Sequence, residues 1–132
     1  MKLITAILTI GLLIPTFANE ETELGKHMDE LNGHLKSLRK LEDFDSKVEA
    51  ARNAQKELLQ CFPLIPTLVE GISDEKEKAK LMADYKKLLA VNYAKFCDLE
   101  LAFLDENEEL ADEITRELKS IKKQGHQKYI ED

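Results

Sequence analysis

Residues 24–38, LGKHMDELNGHLKSL, carry one apolar stripe that decides the class of the fold. Its apolar members are Leu24, Met28, Leu31, Leu35 and Leu38, which are spaced four, three, four and three residues apart. Because an α-helix completes a turn in about 3.6 residues, this spacing aligns all of them on one face. The stripe predicts an amphipathic helix from Glu20 to Leu41, about six turns and roughly 33 Å long.

Capping residues and helix breakers predict three further helices. Ser46 is the expected N-cap of the second helix, which must stop or kink at Pro63 because proline cannot donate a helical hydrogen bond. Ser73 is the expected cap of a third helix that runs to about Leu104, and Asn107 can cap the fourth. No alternating apolar run long enough for a strand is present. The chain is therefore predicted to be all-α, an antiparallel up-down-up-down four-helix bundle.

The connection between the second and third helices is unusually apolar. It reads FPLIPTLVEGI over residues 62–72. Connections are normally polar and exposed, so this segment is expected to cover an apolar part of the molecule. A short helical turn ending at Gly71 is expected within it.

The first 18 residues resemble an export signal. Lys2 is followed by an apolar run from Leu3 to Ile14 and by small residues up to Ala18, which is the pattern of a cleaved secretory signal peptide. The run is too short to span a bilayer, which takes about 20 residues. We therefore expect a mature domain over residues 19–132, without a membrane anchor. The whole chain has a net charge of −7, which disfavours nucleic acid as a partner.

The predicted topology brings Met28 and His126 to the same pole. In an antiparallel bundle, the start of helix one, the connection at residues 62–72 and the end of helix four lie together. A methionine and a histidine are the axial ligands of some haem proteins, and Gly125 would leave room beside the imidazole. Each residue also has an ordinary interpretation, Met28 as a core filler and His126 as a cation at a helix C-terminus.

Two segments resemble the terminal helices of the soluble cytochrome b562 family. They are LGKHMDELNGHLKSLRK at residues 24–40 and ELKSIKKQGHQKY at residues 117–129. Residues 54–56 and Tyr85 also fit that family's pattern. The resemblance implies a periplasmic four-helix bundle that binds one non-covalent haem b, with Met28 and His126 as the axial iron ligands. It also implies electron transfer with transient redox partners rather than an enzyme activity.

Further candidate contacts to the cofactor are Leu31, Phe62, Leu64, Tyr85 and Lys122. Lys122 is the candidate partner of a haem propionate, because Ile130 stands where the family pattern allows a basic residue. The connection at residues 62–72 is about ten residues longer than the family pattern predicts.

The cysteines and the other histidines limit the chemistry. Neither Cys61 nor Cys97 belongs to a Cys-x-x-Cys-His motif, so covalent haem attachment is not expected. The two cysteines are predicted to lie too far apart for a disulfide. His27 and His34 are expected to be exposed, although His27 could compete with Met28 as a ligand.

A second function is open at this point, that of a haem-free periplasmic helical bundle that binds a protein or a small ligand at the same pole. A monomer is expected in either case.

Overall fold

The computed structural model describes residues 22–129, and all regular structure in this range is helical. The helices are α1 Glu23–Ser37, α2 Phe44–Cys61, α3 Thr67–Glu70, α4 Glu75–Leu104 and α5 Glu108–Tyr129, and a 3₁₀ turn at Leu38–Lys40 follows α1. The all-α prediction is confirmed. The predicted signal peptide and Ile130 lie outside the described residues.

Side-chain caps explain where three of the helices begin. The Thr22 hydroxyl accepts a hydrogen bond from the Gly25 N–H, and the Asn107 side chain accepts one from the Leu110 N–H, as the sequence predicts for Asn107. The predicted Ser46 cap is wrong. Asp43 caps α2 instead, and its carboxylate accepts the Ser46 N–H at 2.7 Å.

The connection between α2 and α4 contains the expected short helical turn. α3 is a single turn of four residues, and Gly71 follows it with its N–H bonded to the Thr67 carbonyl. Val69 of this turn is fully buried in the core, so the turn packs firmly against the rest of the molecule. The prediction of a turn ending at Gly71 is confirmed. The predicted Ser73 cap is wrong, since Asp74 occupies the N-cap position of α4.

The main core lies between α2 and α4. These helices run antiparallel, because Arg52 pairs with Glu100 and the Gln55 amide donates to the Phe96 carbonyl. Their largest fully buried side chains include Leu58, Leu89 and Leu99. α1 packs against the other side of α2, and α5 packs antiparallel against α4 through Lys95–Glu117 and Asp84–Lys128 pairs.

A buried lysine closes the end of the molecule where α4 turns into α5. Lys47 of α2 is 8 % exposed, and its ammonium pairs with Glu108 at the start of α5. The ammonium also lies 5.1 Å from the centre of the Phe44 ring and 5.9 Å from that of Phe103. Pairing and ring contacts offset the cost of burying the charge, so this end is closed by well-partnered groups.

Cys61 of α2 and Cys97 of α4 lie far apart. Cys61 ends α2 and is fully buried, with its thiol donating to the Glu57 carbonyl. Tyr85 is its neighbour across the interface, and Cys97 lies about 18 Å further along α4 at 1.5 Å per residue. Both thiols are free, in agreement with the predicted separation.

Within residues 22–129, no helix is both long enough and apolar enough to cross a membrane.

Candidate cofactor-binding site

A cavity of about 820 Å³ lies between α1 and α5, against α4. α1 packs on α2 and α5 packs on α4, whereas α1 and α5 make at most slight contact with each other. The apolar stripe of α1 faces this cavity, and no residue of α1 is buried. The volume is in the range of ligand pockets, roughly 300–1,000 Å³.

Met28 and His126 both line this cavity from different helices. Met28 belongs to the stripe of α1 and is half-buried, whereas His126 lies in the last turn of α5 and is exposed. The sequence separates them by 98 residues, and the order of helix packing returns them to one pole. The predicted convergence of these two side chains is therefore present in the structure.

The other predicted contacts divide into two groups. Leu31, Tyr85 and Lys122 line the cavity. Phe62 and Leu64 do not: Phe62 packs against the core, and the Leu64 N–H turns back to the Cys61 carbonyl. The connection does cover the cavity, but through its later residues Pro66, Thr67, Leu68, Gly71 and Ile72. The prolines kink the chain after α2, so the first apolar residues of the connection face elsewhere.

The Tyr85 hydroxyl is a buried polar group in the cavity wall. Tyr85 is 4 % exposed, and within residues 22–129 its hydroxyl has no hydrogen-bond partner. Burial raises the pKa of this phenol, and so do the neighbouring Cys61 and Tyr129. A buried hydroxyl without a partner destabilises the folded state, and the hydroxyl oxygen itself is shielded from the cavity that the residue lines.

Tyr129 fixes the last turn of α5 and hence the position of His126. Its buried ring meets the ring of Tyr85 edge to face, with centroids 5.4 Å apart. Its hydroxyl donates to the Asp84 carboxylate, which also accepts from the Lys128 ammonium. These two donors, Lys128 first, lower the pKa of Asp84. Tyr129 was not among the predicted site residues, although Ile121, Gly125 and Tyr129 are spaced four residues apart and share one face of α5.

Gly125 lines the cavity next to His126 and also lies close to α4. A Cβ at this position would lie 3.1 Å from Leu88 Cδ2 of α4. That distance is tighter than ordinary van der Waals contact, so the glycine lets α5 approach α4 closely. The expected space beside the imidazole is bounded by Leu88, which itself lines the cavity.

His27 is not exposed, contrary to the expectation from the sequence. Its Nδ1 lies 2.7 Å from Glu57 Oε2 on α2, and its side chain is 24 % exposed. His27 is not among the residues that line the cavity, because the contact with Glu57 turns it toward α2. This position does not support the expectation that His27 competes with Met28 as a ligand. His34 is half-buried and also lies outside the cavity wall.

The donor set suits a metal-bearing apolar cofactor. A thioether and an imidazole are soft and borderline ligands that bind transition metals. Among residues 22–129, no three His, Cys, Asp or Glu side chains come together in a way that could hold a metal ion. The chain matches no protein-family model, no curated protein and no solved structure.

Proposed function

We propose that this chain is a periplasmic electron-transfer protein that binds one non-covalent haem b in the cavity between α1 and α5. Met28 and His126 are the proposed axial iron ligands. The four long helices α1, α2, α4 and α5 are the proposed up-down-up-down bundle, with α3 as an insertion in one connection. The observation that carries this proposal is that a thioether and an imidazole line one apolar cavity from two different helices.

The rest of the cavity wall is compatible with this cofactor. Leu24, Leu31, Leu88 and Ile121 supply apolar surface for a flat apolar ring. Lys122 offers a positive charge to a propionate. The resemblance of residues 24–40 and 117–129 to cytochrome b562 points to the same ligand pair.

Two side-chain ligands determine the type of reaction. Haem supplies one-electron redox chemistry, and an iron with both axial positions filled leaves none for oxygen or a substrate. Met28 and His126 would thus restrict the site to electron transfer, and the neutral thioether of Met28 favours a higher reduction potential. Transient redox proteins are the proposed partners. The proposed periplasmic location depends on the signal-like residues 1–18, which lie outside the described range.

Haemin titration of the mature chain, residues 19–132, tests the proposal. We expect saturation at one equivalent and the sharp α and β bands of a low-spin haem after reduction with dithionite. The Met28→Ala variant should still bind haemin but give a high-spin spectrum, because one axial position is open. The His126→Ala variant should lose most of its affinity.

Two control variants separate the ligands from general effects. Met82 and His34 are half-buried residues of the same types, and neither lines the cavity. Met82→Ala and His34→Ala should therefore leave the spectrum unchanged. If haemin does not bind saturably, the proposal is overturned in favour of a bundle that binds another ligand. Unchanged spectra in both Met28→Ala and His126→Ala would overturn the ligand assignment.

A further inference from the structure

The last three turns of α5 have one anchor in the core. Leu118 and Tyr129 are both buried and lie eleven residues apart, about three turns, and no residue of the described span between them is buried. His126 lies within this span, three residues before Tyr129, and is exposed. The cavity separates this part of α5 from α1, so α5 packs here against α4. Because helix ends fray unless they are held, the position of His126 depends on how Tyr129 is held.

Asp84 of α4 binds the end of α5. Its carboxylate accepts hydrogen bonds from the Tyr129 hydroxyl and from the Lys128 ammonium, the latter at 2.5 Å. The Lys128 pair is about half exposed, and ion pairs of this kind contribute little to stability. Tyr129 is only 5 % exposed, and a hydrogen bond from such a hydroxyl to a charged acceptor is stronger. The Leu81 carbonyl lies 3.4 Å from the same hydroxyl, which is too far to replace Asp84 fully.

Asp84 itself lies outside the wall of the cavity. Tyr129 and His126 line the cavity, whereas Asp84 does not. The backbone of Asp84 belongs to α4, and its neighbours Tyr85 and Leu89 on that helix are buried in the core, so the carboxylate projects from a firmly packed element. Any effect of Asp84 on the cavity must therefore pass through the last turn of α5.

We propose that Asp84 is a positioning residue for His126, because it holds the last turn of α5 against α4 through Tyr129 and so keeps the imidazole at the cavity. This inference rests on the proposed function, in which His126 is an iron ligand. Residues that do not touch a metal commonly orient the ligands that do. Without the Asp84 carboxylate, the last turn of α5 separates from α4 for part of the time and carries His126 with it. Asp84 thereby helps to determine whether both axial positions are filled.

Amide hydrogen exchange in the cofactor-free mature chain tests the hold on α5. In Asp84→Ala, exchange at residues 126–129 should become about tenfold faster, because the last turn loses a hydrogen bond to a charged group. Asp84→Asn should recover most of the protection, since its amide oxygen can still accept from Tyr129. Glu117→Ala is the matched control, because Glu117 also joins α4 and α5, through Lys95, and its side chain is 43 % exposed against 44 % for Asp84. The control should leave exchange at residues 126–129 unchanged.

The visible spectrum with haemin tests the consequence for His126. Asp84→Ala should give a mixture of low-spin and high-spin bands, and Asp84→Asn should return the spectrum toward low-spin. Leu58→Ala is the control for stability, because it leaves a void in the core without changing a residue of the cavity wall, and its spectrum should stay low-spin. An Asp84→Ala spectrum equal to that of the wild type, or an equal high-spin fraction in Leu58→Ala, would overturn the positioning role.

The exchange rates and the spectra distinguish this inference from the proposed function. If the wild-type chain does not bind haemin saturably, the proposed function is overturned, whereas the exchange rates still decide whether Asp84 holds the last turn of α5. If haemin binds but exchange at residues 126–129 is the same in Asp84→Ala and in the wild type, the proposed function stands and the role of Asp84 is overturned.

Discussion

The interface between α2 and α4 and the cavity beside α1 differ in how their apolar stripes are covered. Between α2 and α4, Leu58 and Leu99 are fully buried in side-chain packing. Across the cavity, the stripe of α1 has the same helical spacing, yet none of its residues is buried. The comparison shows that a periodic apolar stripe identifies the face of a helix that needs cover. It does not identify whether protein or a ligand provides that cover.

The largest expected difference is between two leucine truncations. Leu58→Ala should lower the free energy of unfolding by about 2–5 kcal/mol, because it leaves a void in close-packed core. Leu31→Ala, in the wall of the cavity, should cost less, about 1–2 kcal/mol in the absence of a cofactor, because Leu31 is only half-buried and packs against the core on one side. Urea unfolding of both variants measures the two losses.

The same pair of variants links the comparison to the proposed cofactor. With haemin bound, the cost of Leu31→Ala should rise, because the side chain then packs against the ligand, while the cost of Leu58→Ala should stay the same. Equal costs for the two truncations without haemin would show that the α1 side is packed as tightly as the α2 and α4 interface in solution.

Local patterns predicted much of the helical framework. The stripe of α1 and the Asn107 cap of α5 depend on residues within one or two turns, so they could be read directly. The start of α2 could not, because Asp43 and Ser46 both favour N-cap positions and lie three residues apart. The structure selects Asp43, which places Phe44 in the first turn with its ring beside the Lys47 ammonium.

The candidate site was predictable only in part, because its residues come from four separate segments. Met28 and His126 were predicted from residue type and topology, and Lys122 from the family resemblance; all three line the cavity. Phe62 and Leu64 were assigned to the site from apolar character alone, and the kinks at the two prolines turn them away. Leu88 and Tyr129 were not predicted because their roles depend on distances between helices, such as the one at Gly125, where a Cβ would lie 3.1 Å from Leu88 Cδ2.

The buried thiol of Cys61 gives a second way to compare the core between α2 and α4 with the cavity beside α1. Burial first, and the nearby Glu57 second, raise the pKa of Cys61 from 9.0 to about 11. The unfolded thiol therefore loses its proton before the folded one does. The stabilisation that depends on the protonated Cys61 thiol is fully present below pH 9 and is lost as the pH rises through 11. The loss should reach about 2 kcal/mol, at 1.36 kcal/mol per pKa unit.

Urea unfolding between pH 8 and 11 measures this loss. The Cys61→Ala variant should show a shallower decline than the wild type. Cys97→Ala is the control, because Cys97 is only partly buried and should change the decline less. A decline that is the same in Cys61→Ala and wild type would mean that the end of α2 is open to solvent.

The smallest expected effect concerns the hydroxyl in the cavity wall. Tyr85→Phe should raise the free energy of unfolding of the cofactor-free chain by about 1 kcal/mol, because it removes a buried donor that has no partner among residues 22–129. Tyr93→Phe is the control, since Tyr93 lies on the same helix, is half-buried and does not line the cavity. It should be close to neutral. A loss of stability in the cofactor-free Tyr85→Phe chain would show instead that the hydroxyl already has a hydrogen-bond partner in solution. The polar groups of the cavity wall would then be as well paired as those of the core between α2 and α4.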